Sequence, residues 1–269
     1  NYKLISDFTP SMADLTYEPV PLHFKIPHGL WLHEATSVAV DSHDEVYVFN
    51  RGNMPVMVFD ADGNVVRYWG NETPYEGTTE YTDPYGNQSS RYIGTEYIRP
   101  HAITIDHDDN VWLVDDLANA ITKCDRHGNR IMMLCPGGVV LRNAEKMKQA
   151  MGKTQPAPAK QCGDMFNRPT DICVHPVTGD LFITDGYGNS RVHHLKADGT
   201  HVKSWGESGT DAGQFNIPHN ICLAADNNSV IVADRENSRV QHFTLDGKYM
   251  DQWHIHRAVS VAFDKKTEC

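Results

Sequence analysis

Two histidines, two arginines and a tyrosine stand at matched points of a recurring pattern, and together they have the donor set for a cation beside an anion. His101 follows Arg99-Pro100 and His219 follows Ile217-Pro218, while a third copy of the same entry reads Arg168-Pro169-Thr170. Some fifteen residues further along each copy (roughly one hairpin) come Arg51, Asp116, Gly186-Tyr187 and Arg235. Imidazoles are ligands for a divalent metal, guanidiniums grip carboxylates through paired N–H groups, and a phenol beside positive charge can act as a base. Gathering such groups costs desolvation unless something bound compensates. The expectation is an anionic ligand held next to a metal.

What must position these residues is a repeat. Segments beginning SVAVDSHDEVYVFNRG, AITIDHDDNVWLVDD, DICVHPVTGDLFITDGYGNSR and NICLAADNNSVIVADRENSR each read as two β-runs around a polar turn, and SVAFDKKTEC opens a fifth. Outer pairs follow, VMVFDADGNVVRYWG, ITKCDRHGNRIMML, VHHLKADGTHVKSWG and VQHFTLDGKYMDQW, each with a Gly in its tight turn. Four strands per unit make a propeller blade, and blades place equivalent residues around one axis. The later unit spacings, roughly 40–50 residues, suit a bare blade. The earlier units carry insertions at 71–98 and 137–166, and the second contains LRNAEKMKQAMG, which reads as a short helix or lid. The whole of 1–269 is expected to be one all-β domain with about five blades visible, the fifth incomplete.

Other polar residues have structural readings. Asp115, Asp185 and Asp234 suit backbone capping at turns, Trp69 and Trp205 suit blade packing, and His193 and His194 lie within an outer strand. With 40% apolar residues the chain can bury a sizeable core, and no apolar run approaches the roughly 20 residues of a membrane-spanning helix. A net charge of −11 with scattered Lys and Arg argues against nucleic acid as a partner. The six cysteines lack CxxC spacing; Cys173 and Cys222 read as core residues, and Cys135 with Cys162 could close the second insertion. Sequons at Asn71, Asn87 and Asn227 favour a secreted or secretory-lumen glycoprotein, and a start at Asn1 suggests a processed or trimmed chain.

FNRGNMPVMVFD, RPHAITIDHDDNVWLVDD, NRPTDICVHPVTGDLFITDGYGNSRVHHL, SWGESGTDAGQFNIPHNICL and VADRENSRVQHF together resemble peptidyl-α-hydroxyglycine α-amidating lyase, the lyase half of peptidylglycine α-amidating monooxygenase. DGYGNSR, GQFNIPHNI and ADRENSR are more specific than generic NHL-repeat patterns. The likeness runs from about Ser37 to Asp264 and is poor in both insertions.

That resemblance implies a six-bladed NHL-type propeller that splits a carbinolamide carrying a carboxylate into a peptide amide and glyoxylate. It implies zinc held by His101 and His219, Tyr187 as the base, and Arg51 and Arg235 on the substrate carboxylate. It also implies a structural calcium held partly by the backbone carbonyls of Val38 and Ile103, and a monooxygenase fused to or paired with the lyase. The sequence departs from the family in three places. The third zinc-binding histidine and the calcium-binding Asp after it belong to a sixth blade, which this sequence does not match. In the fifth unit the histidine position reads Val259. Gly188 stands where the family has a cysteine beside its tyrosine. The expectation is a fragment of a longer chain, or a propeller whose last blades are lost or supplied by a partner. Two other readings stay open: a different metal-dependent propeller enzyme, such as a lactonase or hydrolase, and a non-catalytic NHL binding module.

Overall fold

The computed structural model describes residues 19–71, 78–82, 88–92, 97–135 and 165–263. Alternating β-branched runs fold into four antiparallel four-stranded sheets, each a simple meander in chain order. The first blade comprises β1 (Ser37–Val40), β2 (Val46–Phe49), β3 (Val56–Phe59) and β4 (Val65–Trp69). A hairpin of β5 (Thr78–Thr82) and β6 (Gln88–Tyr92) occupies the first insertion, a strand pair the sequence did not announce. Then come β7 (Pro100–Ile105), β8 (Val111–Asp115), β9 (Ala120–Cys124) and β10 (Arg130–Leu134) in the second blade. The third has β11 (Asp171–Val174), β12 (Leu181–Asp185), β13 (Arg191–Leu195) and β14 (His201–Trp205). The fourth has β15 (Pro218–Leu223), β16 (Ser229–Asp234), β17 (Arg239–Thr244) and β18 (Tyr249–His254).

The innermost strands are neighbours in sequence order, β1 against β7, β7 against β11 and β11 against β15. Their middle strands are buried on both faces, so β8 and β12 read as continuous apolar runs rather than alternations. Core clusters therefore lie between blades. Tyr47, Phe49 and Val58 meet Ile103 and Leu113; Trp112 and Val114 meet Ile172 and Ile183; Phe182 and Val192 meet Ile221 and Phe243. Trp69 lies against Gly128 and Trp205 against Gly247, so each of these indoles packs on the outer turn of the following blade. The aromatic pair therefore serves as inter-blade packing.

Two side chains at one repeat position tie blade to blade. The Asp171 carboxylate accepts the Ile221 N–H at 3.0 Å and a bond from the Asn220 amide. One blade later the Asn220 Oδ1 accepts the Val261 N–H at 2.7 Å. The segment after β18 is thus laid along β15 in the register an innermost fifth strand would take, although residues 255–263 form no strand. Ala258 and Val261 cover the outer face of the fourth blade there. The proposed lid helix, Cys162 and Asn87 lie outside the described residues.

Burial pushes the Asp171 carboxyl up to about 7. Its folded value exceeds its unfolded value, so its contribution is fully present below about pH 4 and is lost as pH rises through 7. The stability of the wild type relative to Asp171→Asn, measured by urea unfolding, is expected to fall between pH 5 and pH 8. A difference that stays constant across that window would refute the assignment.

Candidate active site

The five residues singled out by repeat position come from all four blades, and the fold brings them to one end of the inner strands. His101 is buried on β7 and half-buried His219 sits at the same place on β15. Each ring is held by the next repeat. The His101 Nδ1–H donates to the Thr170 carbonyl at 2.7 Å, and the His219 Nδ1–H to the Val259 carbonyl at 2.8 Å. Thr170 and Val259 are themselves the residues at the histidine position in their own units. A donating Nδ1 fixes the tautomer and leaves Nε2 as a lone-pair donor.

Tyr187 fills the space between them. Its Oη is 2.9 Å from His101 Nε2 and 3.0 Å from His219 Nε2. The loop that carries it departs from β12 through Gly186, where a Cβ would come within 2.0 Å of the Pro218 carbonyl oxygen. Only glycine lets the entry to β15, and with it His219, approach this closely. Gly188 is less constrained, since a Cβ there would meet only the Asn167 side chain, at 2.3 Å. The cysteine that the resemblance implied at this position would displace the Asn167 side chain. Ile217, which precedes Pro218, takes a left-handed backbone at φ 59°, and Arg168 at the same repeat position takes φ 64°. For a β-branched residue that conformation is strained, and strain of this kind clusters where a site must be held in place.

Arginines surround the phenol. The Cζ atoms of Arg168, Arg99 and Arg235 lie 4.9, 5.7 and 5.7 Å from the Tyr187 ring centroid. Arg235 is paired with Glu236 at 2.9 Å, and Glu236 is held in turn by Arg257 at 2.7 Å. Arg51 pairs with Glu34 and donates from Nε to the Pro100 carbonyl at 3.2 Å, one residue from His101. Arg99, Arg168 and Asp116 did not enter the expected site, although all three lay at flagged repeat positions. Two arginines in the entry register were the signal.

Burial pushes the His101 imidazole down to about 3, and burial with the Arg235 charge pushes His219 down to about 4. Both rings are neutral near pH 7. Burial and the Asp116 charge raise the Tyr187 phenol, while Arg235 and Arg99 pull it back. One phenolic hydrogen then faces two Nε2 lone pairs, so one buried lone pair lacks a donor. A cation among the three electron-rich atoms would satisfy both rings, and the donor set fits two zinc positions. Val259 supplies its carbonyl to His219 where a third histidine was sought.

The remaining expected positions are less telling. Val38 and Ile103 stand on adjacent inner strands, opposite Val48 and Leu113. Among the described residues, two groups of three His, Cys, Asp or Glu side chains are close enough to share a metal, Asp41–His43–Asp109 and Asp106–His107–Asp108. Asp41 and Asp106 there cap their own turns, through the Glu45 and Asn110 N–H groups among others. Asp115, Asp185 and Asp234 also behave structurally, accepting the backbone N–H groups of Arg99, Asn167 and Asn216. His193 is buried between Asp185 and Ser204, and His194 pairs with Asp180.

The NHL repeat family is matched by residues 166–195 and 215–243, the first three strands of the third blade and of the fourth. Peptidylglycine alpha-amidating monooxygenase of Rattus norvegicus is 30% identical over 221 residues, covering 80% of this chain and 21% of that protein. Peptidyl-alpha-hydroxyglycine alpha-amidating lyase 1 of Drosophila melanogaster is 28% identical over 235 residues, covering 76% of this chain and 40% of that protein. A streptogramin B lyase structure superposes with a TM-score of 0.52 at 14% identity, over 85% of this chain and 57% of that one, a likeness of fold. The chain spans about a fifth of the rat relative's length. It belongs to the NHL-repeat β-propellers. Within that class it is similar to the amidating lyases.

Proposed function

We propose that this chain is a carbon–nitrogen lyase that cleaves peptidyl-α-hydroxyglycine, or a smaller carbinolamide bearing a carboxylate, into an amide and glyoxylate. The observation that carries the reading is the Tyr187 hydroxyl set between two neutral imidazoles and ringed by guanidiniums. The similarity to amidating lyases supports it. Arg235 and Arg51 would bind the substrate carboxylate, exchanging Glu236 and Glu34 for it; a planar guanidinium matches a carboxylate bidentately.

His101 and His219 would hold zinc, which when bound supplies a Lewis acid that lowers the pKa of the substrate hydroxyl. Tyr187, as phenolate, takes the hydroxyl proton. The oxygen lone pair then forms the aldehyde C=O as the C–N bond breaks, and the departing amide nitrogen recovers the proton from Tyr187. Atoms and charge balance without an oxidant. Burial raises the Tyr187 phenol, so added positive charge beside it would be what lets it act as a base. A structural calcium at the Val38 and Ile103 carbonyls belongs to the same proposal.

A hydroxylating monooxygenase, on the same polypeptide or a separate one, would supply the substrate. A secretory-pathway location goes with this reading, supported by the similarity to amidating enzymes and by sequons at Asn71 and Asn227; no described helix is long and apolar enough to cross a membrane.

The test is metal analysis paired with glyoxylate release from an N-acyl-α-hydroxyglycine. Zinc near stoichiometry with release supports the lyase, and a zinc-free, inert protein leaves the binding-module reading. Arg235→Ala is expected to raise KM for this substrate by about 10- to 100-fold, the worth of one charge-assisted pair. An unchanged KM would remove Arg235 from carboxylate binding.

A further inference from the structure

Asp116 is fully buried, and its carboxylate is bonded by two arginines. Its Oδ1 accepts the Arg99 Nε–H at 2.6 Å and its Oδ2 is bonded by Arg99 Nη2. The same Oδ2 accepts the Arg168 Nε–H at 3.3 Å and Nη2–H at 3.1 Å. Both arginines enter from the loops before β7 and β11, in the second and third blades, and both lie against the Tyr187 ring. One carboxylate thus binds two guanidiniums that would otherwise repel each other beside a third, Arg235.

We infer that Asp116 is a positioning residue: through Arg99 and Arg168 it builds a cationic wall that locks the Tyr187 ring so that its hydroxyl stays between His101 and His219. A fully buried, paired carboxylate is a rigid anchor, since releasing either guanidinium leaves an uncompensated charge. Planar guanidiniums stacked near an aromatic face also restrict its rotation. The hydroxyl lies 2.9 and 3.0 Å from the two Nε2 atoms, and displacements of about 1 Å at a reacting group can cost about a hundredfold in rate. The inference rests on Tyr187 being the reactive group of the proposed lyase. The geometry it describes does not need turnover to be examined.

The experiment compares wild type with Asp116→Asn, which keeps the side chain's shape and removes its charge. Ring-labelled tyrosine, with Tyr187 assigned by its loss in Tyr187→Phe, reports ring rotation by NMR. Separate signals for the two ring edges are expected in the wild type, merging in the variant. In parallel, kcat for glyoxylate release is expected to fall about tenfold or more, while glyoxylate itself binds more tightly because Arg99 and Arg168 have lost their shared counter-charge. A generally damaged site would weaken both together.

Separate ring-edge signals retained in folded Asp116→Asn, or an unchanged kcat, would overturn the assignment. Should Asp116→Asn not fold, Arg168→Met removes the nearer wall while leaving Asp116 with Arg99, and the same ring signals decide. If wild type releases no glyoxylate, the lyase proposal fails while the ring measurement still tests the clamp.

Discussion

Tyr187→Phe is expected to lower glyoxylate release by about a thousandfold while the protein stays folded. Removing a general base costs about 10²- to 10⁴-fold, and here the same hydroxyl both takes the proton from the substrate and returns it to the leaving nitrogen. The ring, its contacts with Arg168 and Arg235, and its place between the imidazoles survive the substitution. What is lost in the resting protein is one hydrogen bond to one Nε2, which costs no more than about 2 kcal/mol. Stopped turnover with a nearly unchanged urea midpoint is therefore the signature. Wild-type turnover in Tyr187→Phe would show that the proton leaves by another route and would remove the central assignment.

His219→Ala is the second large effect. It deletes one of two nitrogens aimed at a common point, and a single imidazole does not retain zinc. The expected result is loss of zinc on dialysis, with turnover down by about a thousandfold or more, neither restored by micromolar zinc. His101→Ala should match it. Removing the metal from the wild type with a chelator should give the same inactive state, reversed by adding zinc back. Stoichiometric zinc in both single variants would place the metal elsewhere in the molecule. Since both imidazoles remain neutral down to about pH 4 or below, zinc binding should not weaken through their titration between pH 7 and pH 5.

How much of this could be read beforehand divides along physical lines. Blade boundaries were legible because strand alternation and glycine-bearing turns are local, and His101, His219, Arg51 and Arg235 were legible because a propeller converts equal repeat position into spatial proximity. Tyr187 sits one residue beyond the Arg51 register and was found by the same logic. Asp116 was passed over at that register, since a lone carboxylate among arginines carries no signal until its partners' directions are known. Arg99 and Arg168 were overshadowed by the Pro-His motif that follows the first of them. The hairpin of β5 and β6 was missed because its Tyr, Gly and Asn content reads as loop. The role of Gly186 depends on how close two blades come, and no pattern within one strand encodes that.

The backbone carbonyls of Thr170 and Val259 that hold the two imidazoles give the site a timetable. During synthesis the chain emerges from its N-terminus, so His101 gains its orienting partner when the third blade docks. His219 gains its partner only after the fourth blade is complete and the segment after β18 has been laid along β15. Until then that ring can turn either nitrogen outward. A chain lacking that segment would therefore hold His219 without a fixed tautomer.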